Sequence, residues 1–430
     1  MRLSGRLAAA IEIIDTLETR RRPVSIALKE WGQANRFAGS KDRAVIGNLV
    51  YDAMRKRSAH AYAMGEDTGR SLVLSVAVRD WGHAPDELNE AFSTDNFAPQ
   101  PITEKEQILL EAKMPLAKAP AHLAANLPEW LVPAFEKTFG DSWSDEALAL
   151  SERPPLDLRV NTLKSTPEKV RKNLERFAPN PCALAPSGLR IAPGQRDART
   201  PNVQADESYL KGGVEIQDEG SQVVALLSGA KAGQQVLDYC AGAGGKTMAL
   251  AAIMENKGQI FAHDADRNRL KPIYDRLKRN AVRNVQVRAP APGALENLVA
   301  KMDKVVIDAP CTGTGTWRRH PDSKWRLTPE QLAKRVDEQA QILQQAARFM
   351  QPEGEMIYIT CSLLPQENSE QIERFVGKNG IYAPIDMQAR WNRIFPDAKL
   401  NPTFDRFGLT LSPNATGTDG FYISILKLKA

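Results

Sequence analysis

Lys304-Val-Val-Ile-Asp-Ala-Pro-Cys311 is an apolar, β-branched run that stops at Asp308 and delivers a thiol into a loop. Such a run reads as a strand buried on both faces, as in a parallel sheet. Met356-Ile-Tyr-Ile-Thr-Cys361 ends the same way, on a second thiol. Ligands bind at the carboxyl ends of the strands in an open parallel sheet. Two thiols delivered there point to covalent chemistry rather than packing.

Working outward, the rhythm around these runs is strand, loop, helix. Val236-Leu-Asp-Tyr239 enters a glycine loop, and residues 247–254 read as a helix. Gln259-Ile-Phe-Ala262 is the next strand, ending at Asp264, followed by a helix over 270–281 and a long one over 329–350. Thr418-Asp-Gly420 before Phe421-Tyr-Ile-Ser-Ile-Leu426 is a turn-then-strand signal for a terminal antiparallel hairpin. The pattern predicts an α/β fold, a doubly wound Rossmann-like sheet over 206–430.

Upstream the texture differs. Leu156-Asp-Leu-Arg-Val160 alternates as a half-buried strand does, 163–177 is helical, and Gly188-Leu-Arg-Ile191 is a short strand beside a proline-rich loop over 178–202. This predicts a small α/β module over 146–205. Residues 1–145 read as helices: Leu7, Ile11, Ile14 and Leu17 recur at the helical period, as do Ile46, Leu49, Val50 and Ala53. The run Arg20-Arg21-Arg22 before Pro23 closes the first helix. Ser40 and Asp42 open another, which Arg55, Lys56 and Arg57 close with cations that suit the helix dipole.

Composition excludes several classes. The 430 residues carry a net charge of +5, compatible with a nucleic-acid partner but also with none. The four cysteines, at 182, 240, 311 and 361, form no C-x-x-C pair, which argues against a zinc ribbon and a secreted disulfide framework. The five histidines complete no metal spacing, so no metal is expected. Arg2 and Arg6 precede no apolar core of signal-peptide type, and no apolar run approaches the roughly 20 residues of a membrane span. A cytoplasmic, monomeric protein with reduced thiols and no membrane partner is expected.

The loop Asp238-Tyr-Cys-Ala-Gly-Ala-Gly-Gly-Lys-Thr247 joins the first core strand to a helix. It is not a P-loop, which needs glycine where Cys240 stands, nor the dinucleotide fingerprint, because Thr247 fills the third glycine slot. It is either a plain glycine turn or, with Asp264 suited to ribose hydroxyls, the seat of an adenosine-type cofactor without pyrophosphate. The second reading points to S-adenosylmethionine. Cys240 inside the loop reads as a packing residue.

Asp308-Ala-Pro-Cys311 and Thr360-Cys-Ser362 make chemical sense as one site. Cytosine C5 is a poor nucleophile until a thiolate adds to C6, and a second thiol assists release of the product. Asp308 is placed to contact the cofactor or, if protonated, the pyrimidine edge. Such a base must leave its stack to be reached. Trp317-Arg-Arg-His-Pro-Asp-Ser-Lys-Trp-Arg326 follows directly. Its cations and indoles fit phosphate contacts and base stacking, with a solvated loop and inward-packed tryptophans as the alternative. Its closeness to the thiols favours nucleic acid, with Arg318, Arg319, Lys324 and Trp325 as the candidate contacts.

The strings Asp238–Thr247, Asp308–Cys311, Arg318–Trp325 and Thr360–Ser362 together resemble the Nol/Nop/Sun family of RNA cytosine-5 methyltransferases, and most of all its bacterial RsmB-type 16S rRNA branch. The resemblance extends through Gln217-Asp218, Ser221-Gln222 and Gly417-Thr-Asp-Gly-Phe421. It reaches the family's RRM-like module at Leu158-Arg-Val-Asn-Thr162 and its NusB-like RNA-binding domain at Asp42-Arg43 and Leu49-Val-Tyr51. It implies that Cys361 is the nucleophile, that Cys311 promotes release, and that Asp308 belongs to the catalytic group. It also implies that S-adenosylmethionine is held by Cys240, Ala241, Gly242, Ala243, Gly244, Gly245, Lys246, Asp264 and Asp308. The substrate implied is a cytosine in RNA, in the first place ribosomal RNA.

Two departures stand out. Gly242 and Ala243 replace the family's usual Ala-Pro pair, and Arg288-Ala-Pro-Ala-Pro292 offers no carboxylate where the family has another cofactor-binding acid. The rival readings are an enzyme whose nucleophile is Cys311, a cytosine-5 methyltransferase for transfer RNA or another RNA, and a non-catalytic RNA-binding assembly factor.

Overall fold

The computed structural model describes residues 1–20 and 22–429, so the arginine run at 20–22 falls partly outside it, at Arg21. The chain forms two compact units. One comprises Met1–Arg153, Pro193–Thr200 and Trp317–Leu327; the other comprises Pro154–Ala192, Pro201–Thr316 and Thr328 onward.

The first unit is helical. Helices Leu3–Arg20, Val24–Ala34, Ser40–Arg55, Arg57–Met64 and Gly69–Ser75 bury Leu7, Ile14, Leu49, Val50 and Leu72 in a common core. The residues at the helical period are those turned inward, as an amphipathic stripe requires. Helix Ser40–Arg55 starts where Asp42 accepts the Gly39 amide at 3.2 Å. No helix among the described residues is long and apolar enough to cross a membrane.

The second unit holds two sheets. The small one is antiparallel, with strands β1 (Leu156–Val160), β2 (Asn180–Pro181), β3 (Gly188–Ile191) and β4 (Val214–Ile216) in the order β2-β3-β1-β4. Strand β4 lies beyond the expected module boundary at 205, because Leu158 pairs with Ile216 and Val160 with Val214. Buried ion pairs tie this sheet to the next helix, Glu219–Leu227. Arg190 reaches Asp157 through two nitrogens at 2.7 Å, and Asp157 accepts the Glu219 amide at 2.9 Å.

The large sheet carries the chemistry. Its strands are β5 (Gln235–Asp238), β6 (Gln259–His263), β7 (Val285–Arg288), β8 (Met302–Asp308), β9 (Met350–Thr360), β10 (Tyr382–Pro384), β11 (Thr403–Phe404), β12 (Leu409–Leu411) and β13 (Phe421–Leu428). The order is β11-β12-β13-β9-β8-β5-β6-β7, with β10 also on β13. Strands β7, β6, β5, β8 and β9 run parallel. Strand β13 is antiparallel to β9, pairing Tyr422 with Thr360, and to β12. The doubly wound sheet and its antiparallel end match the expectation. Strand order reverses between β5 and β8, which is the crevice where open α/β sheets bind ligands.

Candidate active site

Three carboxylates stand at the carboxyl ends of β5, β6 and β8. Asp238 closes β5 with no exposure and accepts the Thr247 hydroxyl at 2.6 Å. Burial pushes its carboxyl up to about 7, because an ion in a dry interior loses its hydration. Its second oxygen is buried without a hydrogen-bond partner. Asp264, after β6, takes the amides of Gly242 and Asp266 at 2.9 Å each. The glycine loop is thereby sewn to the end of β6, and the Ala241 amide adds a bond to the His263 carbonyl at 2.7 Å.

Gly244 sits at φ +83° just before helix Gly245–Ile253, where a side chain would meet Ile273 at 2.6 Å. The turn therefore requires glycine. Around Gly242 a side chain would find only Arg269 and Asp264, no nearer than 3.7 Å, so the backbone there is open to a ligand. This open turn, the helix start with its free amide ends, and an Asp264 carboxylate that keeps lone pairs after two amides all suit a nucleoside with an attached cation. Strand β7 contributes no acid: it ends at Arg288, whose guanidinium lies 5.4 Å from the Phe261 ring. Burial, with the neighbouring carboxylates, pushes the Cys240 thiol up, which leaves it inert.

Asp308, at the end of β8, is the most open of the three acids, with 35% of its side chain exposed. Lys246, from the first turn of the helix, reaches it at 2.8 Å and lies 3.4 Å from the Ser221 hydroxyl and 5.0 Å from the Phe421 ring. The two form a charge-assisted pair at the end of β8. Residues distant in the chain meet here, because Asp218 also accepts the Asp419 amide at 3.1 Å.

Beyond Asp308 the two thiols come together. Cys311 Sγ lies 3.3 Å from Cys361 Sγ, and both cysteines are half-buried. The Cys311 thiol is held well above its ordinary range, first by its hydrogen bond with Cys361, then by burial and the charges of Cys361 and Glu367. The loop after Cys311 is laced to the loop after Cys361. The Gly315 amide donates to the Cys361 carbonyl at 2.9 Å, and the Leu363 amide donates to the Thr314 hydroxyl at 2.7 Å.

Sequence reasoning passed over Glu367, Asn368 and Gln339, which surround this pair. Glu367 is fully buried and accepts the amide and hydroxyl of Thr312. The available signal was an acid and an amide just beyond Thr360-Cys-Ser362, before helix Ser369–Lys378.

The cationic stretch is placed differently from expectation. Lys324 is 1% exposed, and its ammonium lies 3.3 Å from the Arg55 carbonyl and 3.2 Å from the Ser151 hydroxyl. The rings of Trp325 and Trp317 lie 5.0 and 6.0 Å from it. Burial, with the Arg55 charge, pushes Lys324 down to about 7. The Trp325 indole donates to the Met54 carbonyl at 2.7 Å, Trp317 stacks on Phe135, and Arg318 is buried. Lys324 is thus engaged inside the helical unit with its charge turned away from solvent, and Trp325 is partly buried there with its indole N–H taken up. Arg319 is half-buried.

With this geometry in hand, comparison with known proteins is informative. Residues 225–427 match the profile of the 16S rRNA methyltransferase RsmB/F family, and residues 127–196 match the RsmF/B-like ferredoxin-like domain. Ribosomal RNA small subunit methyltransferase B of Shewanella oneidensis is 28% identical over 99% of both chains. The enzyme of the same name from Pasteurella multocida is 31% identical over 75% of this chain and 69% of its own. A crystal structure of a methyltransferase homolog protein from Pyrococcus horikoshii superposes with a TM-score of 0.59 at 26% identity, covering 72% of this chain and 98% of that one. Another solved chain superposes with a TM-score of 0.73 at 25% identity over 99% of both chains.

Proposed function

Since the chain belongs to the RsmB/F family of 16S rRNA methyltransferases and is an S-adenosylmethionine-dependent RNA methyltransferase, we propose that it methylates C5 of a cytosine in small-subunit ribosomal RNA. The observation that carries this reading is the pair of thiols 3.3 Å apart, past the carboxyl ends of β8 and β9. Methylation of an exocyclic nitrogen or a ribose hydroxyl needs no sulfur nucleophile, whereas methylation of pyrimidine C5 does.

Bound in the crevice of the glycine loop, S-adenosylmethionine supplies an electrophilic methyl group on a sulfonium. Residues 240–246 with Asp264 and Asp308 would hold it, and the open backbone at Gly242 is where it would lie closest. The protein's own residues then prepare the base. Cys361, as thiolate, adds to C6, and the displaced electron pair makes C5 nucleophilic. Asp308, paired with Lys246, accepts from the cytosine amino group and orients the ring. Once C5 carries the methyl group, a solvent water takes the C5 proton, the C–H electron pair re-forms the C5–C6 double bond, and the C6–S bond breaks to release the Cys361 thiolate. Cys311, retained as a thiol by its surroundings, stands beside the departing sulfur and stabilises it with a hydrogen bond. Nothing in these steps calls for a second copy, and the enzyme acts as a monomer in the cytoplasm.

The test is nucleoside mass spectrometry after incubating the protein with labelled cofactor and small-subunit ribosomal RNA, with transfer RNA in parallel. The expected product is 5-methylcytidine from ribosomal RNA. Label on N4, on a ribose oxygen, or on transfer RNA alone overturns the proposal.

A further inference from the structure

Two adjacent residues, Glu367 and Asn368, hold the chain on either side of both thiols. Asn368 accepts the Thr360 hydroxyl at 2.6 Å and donates to the Ser362 carbonyl at 2.8 Å, so it grips both neighbours of Cys361. Glu367 accepts the Thr312 amide at 2.9 Å, and its other oxygen takes the Thr312 hydroxyl. Gln339 donates to Glu367 at 2.9 Å and to the Pro310 carbonyl at 3.0 Å, which completes the grip on both neighbours of Cys311. The dipeptide is itself anchored: the Tyr358 hydroxyl donates to the Glu367 carbonyl at 2.7 Å, and the Glu367 amide donates to the Leu364 carbonyl at 3.1 Å.

Burying a carboxyl and a carboxamide is unfavourable unless their partners offset it. Here the side-chain partners named are the neighbours of the two cysteines, with Gln339 between them. Burial pushes the Glu367 carboxyl up, and the bonds from Ser362, Thr312 and Gln339 pull it back.

We propose that Glu367 and Asn368 form a buried caliper that sets the separation of the two thiols, with Glu367 positioning Cys311 for product release and Asn368 positioning Cys361 for attack. The inference rests on the two-thiol reading above. Neither residue touches the base; each acts through the cysteine it frames. Loosening one jaw therefore impairs one half-reaction, which general destabilisation does not do.

The experiment compares turnover with the amount of covalent protein–RNA adduct on denaturing gels, using the full chain and unmodified ribosomal RNA. Cys311→Ala serves as the reference for blocked release. Glu367→Ala is expected to lose about 10-fold or more in turnover while adduct accumulates. Asn368→Ala loses turnover and adduct together. Glu367→Gln, which keeps an oxygen for the Thr312 amide and turns an N–H to its hydroxyl, stays within about 3-fold of wild type. Thr312→Val, a milder change that removes only the hydroxyl, raises adduct in the same direction, and decides the matter if Glu367→Ala does not fold. An adduct-to-turnover ratio unchanged from wild type in both Glu367→Ala and Thr312→Val overturns the caliper. Absence of adduct in Cys311→Ala overturns instead the thiol reading beneath it.

Discussion

The thiol loop over 309–316 and the cationic stretch Trp317–Leu327 are consecutive in the chain, yet they have opposite fates. The first stays half-open at the end of β8 with its sulfur against a second sulfur. The second packs into the helical unit and buries Lys324, Trp317 and Arg318. Both looked functional for the same reason: reactive or charged side chains close to a strand end. What separates them is that a parallel sheet dictates where the ends of its strands lie, whereas no local rule dictates which side of the short helix Pro321–Arg326 faces water. Position in a sheet is the stronger guide, and composition the weaker one.

The largest test of this contrast is Cys361→Ala, expected to lower methyl transfer by roughly 10³-fold or more, measured as label incorporated into RNA. Retained activity would move the nucleophile elsewhere. Next comes Lys246→Met, which leaves Asp308 without its cation and is expected to cost about 10²-fold in kcat. Single-turnover kinetics at saturating cofactor check it, and a loss confined to cofactor affinity would reassign the pair.

On the other side of the comparison stands Lys324→Met. The folded chain holds this amine near 7, against 10.5 for an unhindered lysine. Between those values the unfolded chain binds more protons. Stability should therefore rise with pH from about 7 to about 10, by at most roughly 1.4 kcal/mol per unit. Lys324→Met removes that slope, as read by urea unfolding of the helical signal at two pH values. The same variant leaves the salt dependence of RNA affinity unchanged, while a phosphate contact would lower the slope by about one. Smallest is Cys240→Ser, expected to stay within about 2-fold of wild type because that thiol is held protonated by burial. Strong inactivation there would add a third sulfur to the chemistry.

Strands β8 and β9 were legible because their runs are apolar and β-branched, and each ends on a polar residue. Strand β7 was not: Val285-Gln-Val-Arg288 is half polar and lies at the sheet edge, where one side is unpaired. Strand β4 fell inside the expected large-sheet domain over 206–430, since Val214-Glu-Ile216 carries no mark of its partner. Its central Glu215 is buried against Arg276 at 2.7 Å and Asn280 at 2.6 Å, a match visible only in three dimensions. The acids at the strand ends and Lys246 could be named, but not the pairing of Lys246 with Asp308, because that contact joins residues 62 apart. Glu367 and Asn368 escaped notice because an acid and an amide ahead of a helix resemble an ordinary solvated flank. The helical front was visible as periodicity alone.

The central claim is that Cys361 bonds to the base and Cys311 lets it go. Mass spectrometry of the Cys361 peptide from Cys311→Ala, after incubation with RNA and cofactor and nuclease digestion, tests it most directly. The account predicts a methylated cytidine attached to Cys361. A bare Cys361 peptide from a fully active Cys311→Ala protein would contradict it.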